Sequence, residues 1–287
     1  MNDQLKLAII GGSGLYAMPG LEDITEQRIS TPFGEPSSPI ITGMMAERRV
    51  AFLARHGIGH TIPPTQVNYR ANIYALKSLG VRFVLAVSAC GSLREDYAPG
   101  EVVIPGQLFD LTHGRMRTFF DEPGLVAHVG VADPFCNAFG QQAMAAGKAA
   151  GATVHWGGTY VTIEGPRFST RAESNAYRSL GFSIIGMTTA PEAFLAKEAE
   201  LCYAVMAHVT DFDVWHEEPV SVDLVVRTLQ KNTQLAQDAV RNLAASLDEH
   251  QECDCDTSLA NALITDAKSI SKAARKKLGI LVDKYMS

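Results

Sequence analysis

Short apolar runs that each end in a polar, mostly glycine-bearing loop recur along this 287-residue chain, with helical patterns between them. Residues 6–10 run into Gly11-Gly12-Ser13-Gly14, residues 50–54 into Arg55-His56-Gly57, and residues 83–87 into Ser88-Ala89-Cys90-Gly91-Ser92. Residues 201–207 run into His208-Val209-Thr210-Asp211-Phe212-Asp213. Runs this short and this apolar suit buried strands. Between them, residues 66–79 space Val67, Ile73, Leu76 and Leu79 as one helical face with Gly80 behind it. The same signals predict helices over 134–150, 171–180, 191–200 and 221–247, and strands over 153–161 and 182–187. Alternating strands and helices predict an α/β sheet covered by helices on both faces.

Composition narrows the function class. The net charge is −6, and Arg275-Lys276-Lys277 is the longest basic run, which argues against nucleic acid as a partner. The amino terminus leads straight into a strand with no apolar leader, and no segment reaches the roughly 20 apolar residues that span a bilayer. A cytoplasmic setting with small substrates and no membrane is the expectation. Five scattered cysteines do not make a disulfide framework. Cys253-Asp254-Cys255, with His250 as the one further candidate ligand nearby, reads as an exposed linker with incidental or redox-active thiols, and no metal is expected. Residues 248–257 read as a polar surface connection, and residues 258–286 carry the spacing of a final helix.

The loops at the strand ends supply chemistry. Gly12-Ser13-Gly14-Leu15-Tyr16-Ala17 formally matches a dinucleotide fingerprint. Pro19-Gly20 would break the helix such a site needs, so amides and the Ser13 hydroxyl around one compact anion fit better. Arg55 offers a forked donor set suited to phosphate, with His56 beside it, and Ser88 and Ala89 add a hydroxyl and close backbone amides. The loop of residues 162–169 gives the Phe168 ring and the Ser169 hydroxyl. Residues 186–189 give Met187, which can pack on a sugar ring or serve as core filler, and Thr188. Asp211 and Asp213 follow the most apolar strand, where desolvation raises a carboxyl pKa. Taken alone, that segment also suits a turn or helix cap.

In order along the chain, these loops resemble those of the trimeric nucleoside phosphorylase family. The resemblance rests on residues 9–15, Thr31-Pro32-Phe33-Gly34, residues 54–57, residues 67–72, Ala89-Cys90-Gly91-Ser92-Leu93-Arg94-Glu95, Ile163-Glu164-Gly165-Pro166-Arg167-Phe168, Met187-Thr188-Thr189-Ala190-Pro191-Glu192 and residues 211–213. It covers about residues 5–247, expected as one domain with a mixed central sheet flanked by helices. Residues 248–287 would add the connection and a terminal helix on the same domain or a neighbouring subunit.

The resemblance implies attack of inorganic phosphate on C1' of a purine nucleoside, in a homotrimer or a dimer of trimers, with no metal or organic cofactor. By position, Ser13, Arg55, His56, Ser88, Ala89 and Thr188 would bind phosphate, with Asp211 and His56 as the catalytic pair. Met187 would lie along the ribose, Phe168 beside the base, and Asp211 at N7 and the exocyclic amine. Relatives that cleave 6-oxopurine nucleosides carry Asn and Glu where this chain has Asp211 and Ser169. The pair here therefore implies adenine, and a 5'-methylthioadenosine substrate before methylthioinosine, adenosine or purine nucleosides in general. Asp213 would support the loop or Asp211. Val222 and Val225 would line an apolar 5' pocket, which His128 of a neighbouring subunit and a residue near 278–281 would complete. Gly186 and Ser88 depart from the family's usual Asn and Thr.

Overall fold

The computed structural model describes residues 2–12, 15, 18–217 and 220–286. In chain order its elements are β1 (Asn2–Gly11), β2 (Glu22–Gln27), β3 (Ile40–Met45), β4 (Arg48–Ala54), α1 (Tyr69–Ser78), β5 (Phe83–Ser92), β6 (Val102–Ile104), β7 (Gln107–Asp110), α2 (Asn137–Ala149), β8 (Val154–Trp156), β9 (Thr159–Thr162), α3 (Arg171–Ser179), β10 (Ile184–Gly186), α4 (Thr189–Glu198), β11 (Cys202–Asp211), α5 (Val222–Ser246) and α6 (Lys272–Leu278).

The strands form one mixed sheet in the order β2-β3-β4-β1-β5-β10-β9-β7, with β11 joined to β5 and β6, and β8 joined to β6. β5 takes three neighbours by changing partner along its length. Its body runs parallel to β1 and β11, and its last residues, Gly91 and Ser92, pair antiparallel with β10. Because β4, β1, β5 and β11 are parallel, their carboxyl ends open on one edge, where α/β sheets place chemistry.

The two faces of the sheet are filled by the period-two alternation of each strand. On β1, Leu7 and Ile9 join a cluster with Phe139 and Ala143 of α2 and Val240 and Leu243 of α5. Ala8 and Ile10 face the other way, into a cluster with Ile73 and Leu76 of α1 and Ala193 and Leu195 of α4. β11 is buried along its whole length, which is why its sequence reads as a continuous apolar run. Among the described residues no helix is long and apolar enough to cross a membrane.

Three sequence expectations are corrected. The strand expected over 153–161 is two strands, β8 and β9, because Gly157 and Gly158 both take positive φ between them. The terminal helix expected over 258–286 is reduced to α6 and short 3-10 turns. Asp266 and Ser271 each accept a backbone N–H and start a new turn, and Gly279 ends α6. Leu259, Ala262, Leu278, Leu281 and Val282 of this tail are buried in the α1/α4 side of the core. The cysteines of residues 253–255 are also not in an exposed linker: Cys255 is buried, and Cys253 lies 3.4 Å from Cys202.

Candidate active site

A cavity of about 610 Å³ opens at the shared carboxyl edge of β1, β4, β5 and β11. Its wall takes residues from the ends of these strands and of β10, from the loop around residues 163–168, and from the first half of α5. Arg55, His56, Ser88, Ala89, Phe168, Met187, Thr188, Asp211, Asp213, Val222 and Val225 all line it. Ser13 lies outside the described residues. Ser169 is buried but not part of this wall, and His128 is exposed on a segment bonded to Ala262, not at the cavity.

The β4 and β5 side is built around a buried ion pair. Arg55 donates from Nε and Nη2 to the two carboxylate oxygens of Glu192, both at 2.8 Å, and Tyr203 donates to Glu192 Oε1 at 2.8 Å. The fork expected to hold an anion is thus occupied by Glu192, a residue to which the sequence reading gave no role, and Nη1 remains beside the carbonyl of Val87 at 3.4 Å. Burial disfavours the charged guanidinium, but Glu192 outweighs it and holds Arg55 more firmly protonated than usual.

His56 Nδ1 is 2.9 Å from the carbonyl oxygen of Ile62. A carbonyl only accepts, so Nδ1 carries the hydrogen and Nε2 is left with a lone pair. Burial, with the Arg55 charge next, lowers the His56 pKa to about 4 and keeps the ring neutral. His60, unassigned from sequence, stacks on it with ring centroids 4.4 Å apart. Ser88 Oγ and Thr188 Oγ1 are buried with no partner among the described residues. This wall therefore offers one fixed positive charge, a neutral imidazole acceptor and two uncommitted hydroxyls, a donor and acceptor set that suits a protonated oxyanion.

Gly186 finds its explanation here. A Cβ at this position would lie 1.9 Å from the Tyr160 hydroxyl. Tyr160 is fully buried, and its hydroxyl faces Ser88, Thr188 and Thr189.

The β11 side carries the carboxylates. Asp211 is 3 % exposed. Its Oδ2 accepts from the Thr210 hydroxyl at 2.7 Å and its Oδ1 from the backbone N–H of Asp213 at 2.7 Å. Burial pushes its pKa up to about 6 against these two bonds, and the Asp213 charge adds to the rise. Asp213 thus supports Asp211 through its main chain, in a left-handed conformation at φ 53°, while burial also raises its own carboxyl. The two acids close tightly on β5: a Cβ on Gly91 would come within 2.9 Å of Asp211 Oδ1. His208, buried with its pKa lowered to about 4 by desolvation, lines the cavity on the same strand.

Between the two sides, the loop positions of Phe168 and Met187 are set by Arg115, which sequence reasoning missed. Its guanidinium donates to the carbonyl oxygens of Met187 at 2.8 Å, Ala190 at 2.6 Å and Glu164 at 2.8 Å, tying the 163–168 and 187–190 loops together. Arg115 stands in a long connection with no motif around it, so only the fold brings it to those carbonyls. Asn232, Gln230 and Thr233 of α5 also reach the wall, and a helix face read as amphipathic gives no sign of that.

The sequence matches the phosphorylase superfamily over residues 6–245. It is 50% identical over 284 residues to an S-methyl-5'-thioadenosine phosphorylase of Koribacter versatilis, spanning 98% of this chain and 97% of that one. A relative of the same name from Hyperthermus butylicus is 53% identical over 262 residues, 90% of this chain and 95% of that one. Among solved structures, a methylthioadenosine phosphorylase sourced from an Antarctic soil metagenomic library superposes with a TM-score of 0.93 at 45% identity, covering 97% of this chain and 99% of that one. A methylthioadenosine phosphorylase from Schistosoma mansoni in complex with adenine gives 0.80 at 40% identity, covering 84% and 91%.

Proposed function

This chain belongs to the phosphorylase superfamily, and from that premise we propose that it catalyses the phosphorolysis of 5'-methylthioadenosine to adenine and 5-methylthioribose 1-phosphate. The observation that carries the reading is a cavity with a buried carboxyl of raised pKa, Asp211, on one wall and Arg55, His56, Ser88 and Thr188 on another. The high identity to relatives bearing the methylthioadenosine name supports the choice of substrate.

In this mechanism a phosphate oxygen bonds to C1' as the bond from C1' to the purine nitrogen breaks, and the bonding pair leaves on the purine. Positive charge builds on the sugar and negative charge on the base. The phosphate, held by Ser13, Arg55, His56, Ser88, the Ala89 amide and Thr188, stabilises the first; Asp211 delivers a proton to N7 to neutralise the second. A neutral His56 accepts through Nε2 the remaining hydrogen of the phosphate, which orients its attacking oxygen. A carboxyl with pKa about 6 is poised near neutral pH for that transfer. Asp211 also accepts from the 6-amino group, Asp213 holds Asp211 through its amide, Phe168 and Met187 pack on base and sugar, and Ser169 stands where 6-oxopurine enzymes carry a Glu.

Val222 and Val225 sit at i and i+3 on α5, where they face the cavity and suit a methylthio group. His128 would complete that pocket in a neighbouring subunit, so the proposed enzyme is a homotrimer or a dimer of trimers. The chemistry uses no metal or organic cofactor, and its free-phosphate substrate fits a cytoplasmic setting. The test compares rates on methylthioadenosine, methylthioinosine and adenosine with and without phosphate. A preference for the inosine compound would overturn the base assignment; cleavage undiminished in phosphate-free buffer would overturn the phosphorolytic one.

A further inference from the structure

The four cysteines outside the cavity converge on one point. Cys136 stands at the amino end of α2, Cys202 opens β11, and Cys253 and Cys255 arrive on the tail that follows α5. Their four sulfur atoms all lie within 4.8 Å of one another, and Cys136, Cys202 and Cys255 are buried. Four sulfurs around a tetrahedral zinc ion at about 2.3 Å stand about 3.8 Å apart, whereas a disulfide needs about 2.05 Å. The 3.4 Å between Cys202 and Cys253 is nearer the first geometry than the second.

The surroundings suit anionic sulfur. The Arg82 Nε is buried with no partner among the described residues, and its guanidinium lies against Cys202 and Cys253. Its Nη1 is fixed by the carbonyl of Glu249 at 2.9 Å. Cys136 Sγ faces the Phe139 amide in the first turn of α2, and Gln251 Nε2 approaches the same sulfur at 3.5 Å. Two ligand positions are fixed by backbone bonds that do not involve the tail: the Cys136 N–H bonds to the Tyr203 carbonyl and the Cys202 N–H to the Arg82 carbonyl, both at 2.8 Å.

We propose that Cys136, Cys202, Cys253 and Cys255 bind one structural zinc ion that staples the carboxyl-terminal tail to α2 and β11. Four Zn–S bonds form as the four thiols release their protons to solvent, and no electron moves. Two negative charges remain on the zinc-tetrathiolate unit, and Arg82 faces them. The spacing Cys253-X-Cys255 is shorter than the common zinc knuckle, so it is the fold that assembles the site.

The test uses the full chain, purified under a non-chelating reductant, with elemental analysis for zinc and exchange with Co²⁺. The expected result is one zinc per chain and, after exchange, intense visible bands of tetrahedral cobalt with thiolate charge transfer. Cys253→Ser and Cys255→Ser should lower metal retention by more than about tenfold, since even outer-shell changes cost about 10–100-fold in affinity, while Cys90→Ser retains the metal. Metal-free protein with four titratable thiols and no cobalt bands overturns the proposal, as do two disulfides found under the same conditions. Should the serine variants fail to fold, the cobalt spectrum of the unaltered chain decides.

Discussion

At the ends of β4 and β5 the fixed cation Arg55 is matched by the Glu192 carboxylate, and His56 is kept neutral by burial and then by the Arg55 charge. At the end of β11 Asp211 meets a hydroxyl, an amide and a second acid, and no fixed cation is bonded to it among the described residues. The first wall thus resists changing its protonation near neutral pH, while the second is poised to change it. A site that must hold an anion and pass a proton needs both behaviours, and the fold separates them by giving each its own strand ends. The sharpest way to break the comparison is Asp211→Asn, which removes the titrating group. Turnover of methylthioadenosine should fall about 10²–10⁴-fold, the range for losing a general acid, and preference should move toward 6-oxopurine nucleosides. Steady-state kinetics on both substrates check this, and unchanged turnover takes Asp211 out of the mechanism.

On the other wall, Glu192→Gln removes the partner of a buried charge. Breaking such a pair costs about 3–5 kcal/mol, so the melting temperature should drop, and a misplaced Arg55 should raise the phosphate KM more than the nucleoside KM. A variant as stable as the parent would show that the ion pair does not brace this wall.

The loops after β4, β5 and β11 were legible because each is a contiguous run of small and polar residues after an apolar one, and its geometry follows from one strand. Glu192, Arg115 and Tyr160 were not, because their roles depend on contacts across 137, 72 and 75, and 26 residues of sequence. The cysteines show the same divide. Cys253 and Cys255 were visible as a pair, but Cys136 and Cys202 look like ordinary apolar positions until α2 and β11 are packed. The tail misled for a different reason: an apolar spacing compatible with one helix is cut by Asp266, Ser271 and Gly279, whose local bonds outweigh it.

The pH dependence of stability sharpens the contrast further. Asp211 has a folded-state pKa of about 6 against an ordinary 3.8, so the folded state binds its proton more tightly. Its stabilisation is complete below about pH 4 and is lost as pH rises through about 6, a change of roughly 3 kcal/mol. His56 runs the other way: with its pKa lowered to about 4, its stabilisation is present above about 6.5 and is lost as pH falls through about 4. Asp211→Asn should therefore melt higher than the parent at pH 8 and show no such gain at pH 4. Equal effects at both pH values would mean that Asp211 does not titrate as its burial dictates.

The smallest expected effect probes the seam between the walls, at Gly186. An asparagine there would place its Cβ 1.9 Å from the Tyr160 hydroxyl, an overlap that relaxation relieves at about 1–3 kcal/mol. Tyr160 would be pushed toward Ser88 and Thr188, so Gly186→Asn should raise the phosphate KM as well as lower the melting temperature. Tyr160→Phe alone removes the hydroxyl that faces Ser88, Thr188 and Thr189 and should cost less than the glycine substitution. Combined with Gly186→Asn it should recover part of the lost stability, since the ring carbon Cζ would still lie 2.7 Å from the new Cβ, giving a coupling energy between two contacting positions. Additive losses in the double variant would mean that the tyrosine does not fill the space left by the glycine, and that the hydroxyl wall is shaped from elsewhere.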